Sequence, residues 1–247
     1  MYLSSTSETS RPFLTRQWIV EWAEEHYRYR TFRKDERIPT RPGLLYFVAQ
    51  GALRLIVTHP ENSSSSVAAP SPGATGRSEG EENFLRKPEQ GFLGFVSAGQ
   101  PFEVVTRDPF AIEAYAHTEE TSAIWMYWQD LDSWPAFRQE VLDAFRYQHQ
   151  RKLLWLATLG QKRTLDRLGG FLTLLVEEHG EPYYSTSEPP IVLGYRLPWG
   201  LTHAQIGSAI GSTRVTVTRL MGKLRAAGCI STGEDNLIGV PIARPSE

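Results

Sequence analysis

The chain has 247 residues, 40% of them apolar, 11% aromatic and 22% charged, a mixture that builds a packed core and excludes wholesale disorder. A formal charge of −2 excludes a generally basic nucleic-acid coat and leaves room for a local basic face. The single cysteine, Cys229, excludes a disulfide framework, a cysteine-rich zinc site and an iron–sulfur cluster on four thiolates. Met1 to Thr15 has no basic segment leading into an apolar core, and no run later in the chain nears the roughly 18–20 apolar residues that cross a bilayer. A cytoplasmic chain without membrane contact is expected.

Thr15 to Tyr29 reads as a helix with Trp18, Ile19, Trp22 and Tyr29 on one face. From Tyr27 to Tyr127 the pattern turns to short β-prone runs: 44–48, 52–57, 91–96, Phe102 to Val105, 111–115 and 122–126. Arg41-Pro42-Gly43, Gln50-Gly51, Gly99-Gln100-Pro101 and Asp108-Pro109 divide them, which predicts an antiparallel, cupin-like roll. Arg28 to Arg37 is a mixed charge run, read as a solvated strand edge, with a polymerase contact as the other reading. Glu61 to Gln90 is rich in Ser, Pro, Gly and Glu and cannot bury enough apolar surface to offset chain entropy. It is expected to be a disordered insertion between two strands, or else a partner-binding segment.

A long helix follows. Asp130, Asp132 and Ser133 offer N-caps and Pro135 suits a first turn. Trp134, Phe137, Val141, Phe145, Gln148, Lys152, Trp155 and Leu159 then recur at three- and four-residue steps over about 40 Å of helix. A roll of this size cannot cover so long a stripe, so a second copy of the chain is expected to cover it. The competing reading lays the stripe on its own domain. Trp18, Trp22, Trp125, Trp128, Trp134 and Trp155 are read as core around the junction of roll and long helix.

Residues 161–247 read as a small helical domain. Leu165 to Glu178 forms an amphipathic helix ended by His179-Gly180, and Tyr195-Arg196-Leu197 a short strand. Thr202 caps a helix to Ile210 with Ile206 and Ile210 inward. Gly211 permits a tight turn, and Ser212 or Thr213 caps a second helix to Ala227 with Val217, Leu220 and Leu224 inward. Two helices so joined are a helix–turn–helix, whose second member enters a major groove. Facing outward are Arg214 and Arg219, suited to guanine O6/N7 or phosphate, and Val215, suited to a thymine methyl. Thr213, Thr216 and Thr218 can reach phosphate or base edges, and Thr202, His203, Gln205, Ser212 and Lys223 complete the expected DNA-binding set. Between Arg196 and Ile230 stand Arg196, Arg214, Arg219, Lys223 and Arg225 with no acidic residue, as a DNA-facing surface requires. Cys229 to Ser231 and Leu237 to Val240, around the turn Gly233 to Asn236, read as a hairpin wing. Cys229 is expected to pack as a small core residue.

A roll, a long helix and a C-terminal winged helix, in that order, resemble the cyclic-AMP receptor protein/FNR family of transcription regulators. Ala209-Ile210-Gly211-Ser212-Thr213-Arg214-Val215-Thr216-Val217-Thr218-Arg219-Leu220 is similar to the recognition helix of a cyanobacterial branch tied to nitrogen and carbon status. Arg167-Leu168 with Phe171-Leu172 resembles its linker helix. The resemblance implies an α+β chain with a sensor over 1–129, a dimerisation helix over 130–160 and a winged helix–turn–helix over 161–247. It implies a homodimer that binds a DNA palindrome with GTA and TAC half-sites and contacts RNA polymerase. The alternative is a regulator-like protein that works through protein contacts or without a small-molecule effector.

The resemblance also bears on the effector, for which Gly94, Phe95 and Val96 are the candidates. The family's cyclic-nucleotide binders hold ribose and phosphate with a Gly-Glu-Leu segment and a later Arg-Ser/Thr. Here Gly94 precedes Phe95-Val96, and Arg107 precedes Asp108, which argues against cyclic AMP. Leu93 to Ser97 is closer to the loop of the branch that binds 2-oxoglutarate. A dicarboxylate needs paired cations, yet Pro109-Phe110 and, on the long helix, Gln148 and Leu153 occupy the family's charged positions. Arg146, Arg151 and Lys152 are expected on other faces. No cofactor is expected, and another ligand, a protein partner or no effector all stay open. His26, His59, His117, His149, His179 and His203 show no metal-ligand spacing, so neither a metal site nor an enzyme is expected.

Overall fold

The computed structural model describes residues 12–58, 91–107, 110–233 and 237–242. The 61–90 insertion, His59, the Asp108-Pro109 turn and most of the wing turn lie outside the described residues. The punctuated N-terminal runs form β1 (Tyr29–Arg33), β2 (Arg37–Ile38), β3 (Leu44–Gln50), β4 (Ala52–Thr58), β5 (Gly91–Ser97), β6 (Pro101–Phe102), β7 (Thr106–Arg107), β8 (Phe110–Ala116) and β9 (Glu120–Tyr127). They pair antiparallel in two sheets, ordered β1-β9-β3-β6 and β2-β8-β4-β5 with β7 on β8. The charge run 28–37 therefore supplies an edge strand of each sheet. Alternation along β3 sorts the core: Leu45 and Phe47 face the helices, while Tyr46 and Val48 enter the space shared with Leu53, Val96 and Phe102. Gly51, at φ 72°, makes the β3–β4 turn, and a Cβ there would lie 2.4 Å from the Glu120 carbonyl oxygen.

Two local expectations fail. The first helix, α1, spans only Gln17–Glu25, because Tyr27 turns left-handed at φ 56° and sends Tyr29 into β1. The run Phe102 to Val105 is strand only in its first residue, and Glu103 instead accepts a hydrogen bond from Trp128 Nε1.

The long helix, α2, spans Pro135–Leu159 with Pro135 in its first turn. Its N-cap is Trp134, without a side-chain cap, rather than the expected Asp or Ser. Asp130 caps a preceding 3-10 turn by accepting from the Tyr127 amide at 2.8 Å, and Asp132 pairs with Arg138 at 2.6 Å. The stripe expected to face a second copy lies on the chain itself. Phe137 and Val141 are buried with Ala144 against β3, β9 and α1, and Trp134 and Phe145 flank them. Gln148 donates to the Pro101 carbonyl at 2.9 Å, Lys152 to that of Leu93, and Trp155 packs between Phe92 and Phe171. Trp125 joins the core between the sheets, away from the junction. The stripe is covered because the C-terminal domain folds back to take the half that the roll cannot reach.

That domain holds α3 (Thr164–His179), β10 (Glu181–Tyr184), β11 (Val192–Arg196), α4 (His203–Ile210), α5 (Arg214–Ala226), β12 (Ser231–Thr232) and β13 (Ile238–Pro241), its sheet ordered β10-β11-β13-β12. β12 and β13 are the expected wing hairpin. Leu168, Leu172, Leu197, Ile206, Val217 and Val240 are buried together, and Cys229 packs at their margin. Ala52 and Phe95 of the roll belong to the same cluster, so roll and C-terminal domain share a core. The chain is thus α+β: antiparallel roll, long helix, winged helix–turn–helix.

Candidate nucleic-acid interface and effector cavity

Local chemistry fixes the two helices of the C-terminal motif. Thr202 Oγ1 accepts from the Gln205 amide at 3.2 Å while Gln205 Oε1 accepts from the Thr202 amide at 2.9 Å, a reciprocal cap at the start of α4. Gly211 ends α4 left-handed at φ 62°, which suits a residue without Cβ. Thr213, not Ser212, caps α5 by accepting from the Thr216 amide at 3.2 Å. Gly207 lets the turn close, since a Cβ there would sit 2.7 Å from the Ser212 carbonyl oxygen. Arg167 Nε donates to the Ile210 carbonyl at 3.2 Å and ties α4 to α3.

With Ile206, Ile210, Val217, Leu220 and Leu224 inward, α5 presents the opposite face to solvent. Arg214, Val215, Thr218, Arg219 and Lys223 are exposed on it, and Val215, 79% exposed, offers an apolar surface among these polar groups. Steps of four residues set Arg214 beside Thr218, and Val215 beside Arg219 and Lys223. Ser212 and Thr213 stand at the head of this surface and Thr216 is half-buried at its edge. Thr202 and Gln205 spend polar groups on their cap. His203 Nδ1 lies 2.8 Å from Thr218 Oγ1, whose hydroxyl donates to the Arg214 carbonyl, so the ring nitrogen is the donor. Burial, with Arg225 and Arg214 nearby, lowers the pKa of His203.

A second feature lies where β5, α2 and α3 meet. Gly94, Phe95 and Val96, the expected effector residues, line a cavity of about 180 Å³ closed by Phe145, Gln148 and Trp155 of α2 and Phe171 and Leu175 of α3. Arg151 and Lys152 line it too, contrary to the expectation that they face elsewhere, whereas Arg146 is exposed and pairs with Asp143 at 2.9 Å. Arg151 is committed to α3: it meets Glu177 at 3.0 Å, Glu178 at 3.7 Å and the Leu174 carbonyl at 2.5 Å. Lys152 is in part exposed, yet desolvation of its charge by the surrounding chain lowers its pKa.

Beside the cavity, Phe95 stacks into a cluster that sequence reasoning missed: His117 at 4.7 Å and Trp199 at 5.9 Å between ring centres, with His179 5.3 Å from Trp199. His117 Nε2 donates to the Gly200 carbonyl at 3.1 Å, crossing from roll to C-terminal domain. Burial and the nearby Arg54 lower its pKa to about 4. Ser97 Oγ and His179 Nδ1 make a second crossing at 3.0 Å. Among the described residues no cluster of three His, Cys, Asp or Glu could hold a metal, and no helix is long and apolar enough to cross a membrane.

Residues 166–241 match the Crp-like helix-turn-helix domain. The global nitrogen regulator of Synechocystis sp. is 40% identical over 78 residues, which are 32% of this chain and 31% of that protein. The chain thus aligns with about a third of the length of the curated relatives it matches. Over nearly the whole chain the fold resembles a cyclic nucleotide-binding domain containing protein from Listeria monocytogenes, with a TM-score of 0.63 at 13% identity, covering 92% of this chain and 97% of that one. A CRP-family transcriptional regulator from Thermus thermophilus gives 0.56 at 18% identity, covering 85% and 91%. The chain carries a Crp-like helix-turn-helix domain behind a β-roll and a long helix, the fold of the CRP/FNR regulators.

Proposed function

We propose that the protein is a homodimeric transcription regulator that inserts α5 into successive major grooves of a palindrome with GTA and TAC half-sites. The exposed face of α5 carries this reading: two arginines, a lysine, an aliphatic contact and several hydroxyls, with no carboxylate from Arg196 to Ile230. The relatives that match the domain are named global nitrogen regulators, which supports a role tied to nitrogen status. RNA polymerase is the partner such a role requires.

Pairing is assigned to the outer face of α2, not to the stripe covered by the chain itself. Leu142, Arg146, His149, Leu153 and Leu156 recur at alternating steps of four and three, the spacing of a coiled-coil seam. Leu142, Leu153 and Leu156 are 41%, 51% and 64% exposed, which a second copy of the helix would relieve. The cavity that Gly94, Phe95 and Val96 line is read as the effector site. The test is fluorescence anisotropy with a duplex whose GTA and TAC half-sites lie about one helical turn apart, against a scrambled duplex of equal composition. The reading expects clear preference for the palindrome at physiological salt; equal binding to both contradicts it.

A further inference from the structure

We propose that the cavity at the junction of β5, α2 and α3 binds a small monocarboxylate with a single ring-sized apolar body, its acid group held by Lys152 and Trp155. The inference rests on reading the cavity as an effector site and names the class of its ligand.

Size comes first. The cavity measures about 180 Å³, and a dry cavity of roughly 150 Å³ takes one benzene. One ring and a short acid arm fit; a nucleotide does not. Phe92, Phe95, Trp155 and Phe171 surround the space, with ring centres 4.9 Å apart for Phe92–Phe95 and 5.8 Å for Trp155–Phe171.

The charged groups and the buried donors decide the rest. Lys152 bonds only a neutral carbonyl, that of Leu93, and its ammonium lies 4.8 Å from the centre of the Trp155 ring. Among the described residues no carboxylate comes within ion-pair range of it, although Glu178 acts on it from further off. The Nε1–H of Trp155 is buried without a partner, a costly state for a donor. The two carboxylates in the wall are engaged: Glu103 accepts from Trp128, and Glu178 accepts from Gln100 at 3.2 Å and faces Arg151. Arg151 also keeps a buried Nε–H without a hydrogen-bond partner, but its charge is matched by Glu177 and Glu178 of α3. Lys152 is therefore the one lysine or arginine among the described lining residues without an ion pair, enough for one carboxylate and too few for two. Gly94 keeps this arrangement open, since a Cβ would stand 2.3 Å from Lys152 Nζ. Since α3 belongs to the DNA-binding domain, a bound acid touches sensor, long helix and DNA-binding domain at once.

Benzoate and phenylacetate are the probes, with benzamide and phenylacetamide as neutral counterparts and 2-oxoglutarate and cyclic AMP as further arms. Isothermal titration on the full chain is expected to show the acids binding at least about tenfold more tightly than the amides, the scale of a hydrogen bond to a charged group. Lys152→Met should erase that preference while melting like the parent without ligand, and Trp155→Phe should weaken the acids several-fold. If Lys152→Met fails to fold, Lys152→Gln carries the same test. Acids and amides binding alike, no acid binding, tighter 2-oxoglutarate binding, or a Lys152→Met variant that keeps the preference each overturns the proposal. Anisotropy with the palindromic duplex, run in parallel, separates that outcome from failure of the regulator reading.

Discussion

Replacing Leu153 by Ala tests which face of α2 joins two copies. Leu153 is 51% exposed and touches solvent on the outer seam, so the substitution leaves the chain's own cores intact. Fully burying a leucine contributes roughly 1.5–3 kcal/mol. Half of that remains to be gained at each copy, so two copies contribute about 1.5–3 kcal/mol per dimer. The dimer dissociation constant should rise roughly 10- to 100-fold, as sedimentation equilibrium over a concentration series would show. Leu156→Ala, at 64% exposure, should do at least as much. Gln148→Ala, on the inward face, should lose its bond to the Pro101 carbonyl and leave the dissociation constant unchanged. An unchanged constant for both leucine variants, or dissociation caused by Gln148→Ala, refutes the assignment of the seam.

Two other consequences can be checked independently. Arg214→Ala should cost about 1–3 kcal/mol at one base position and relax selectivity there; competition binding with single-base variants of each half-site reads this directly. The buried His117 gives a pH signature. Its folded pKa is about 4 against an ordinary 6.5, so across that window the unfolded chain binds the extra proton. Stability is therefore fully present above pH 6.5 and falls as the pH drops toward 4, by about 3 kcal/mol from this group. Urea denaturation at stepped pH should show the slope, and His117→Gln should flatten it.

Local grammar was readable from the sequence because its physics is local. Thr202, Gly211 and Thr213 cap or turn through neighbours within four residues, and the Gly and Pro punctuation of the roll marks real strand ends. The outward residues of α5 followed from counting by fours. What failed needed tertiary knowledge. The long helix has apolar residues on two faces, Phe137 and Val141 on one and Leu142, Leu153 and Leu156 on the other, and only packing decides which is covered. Asp130 looked like a cap for α2 and serves the turn before it. Lys152 and Arg151 become cavity residues only because α3 folds back across α2, and Phe95 meets His117 and Trp199 from distant parts of the chain. The pocket has no sequence pattern of its own, being made by three elements that each follow separate rules.

The central claim, that α5 reads DNA as one half of a symmetric pair, is tested most directly by hydroxyl-radical footprinting of the palindromic duplex. The account predicts two protected patches, symmetric about the centre and about one helical turn, roughly 34–36 Å, apart, both lost with Arg214→Ala. A single patch, uniform protection along the duplex, or protection that survives Arg214→Ala contradicts it.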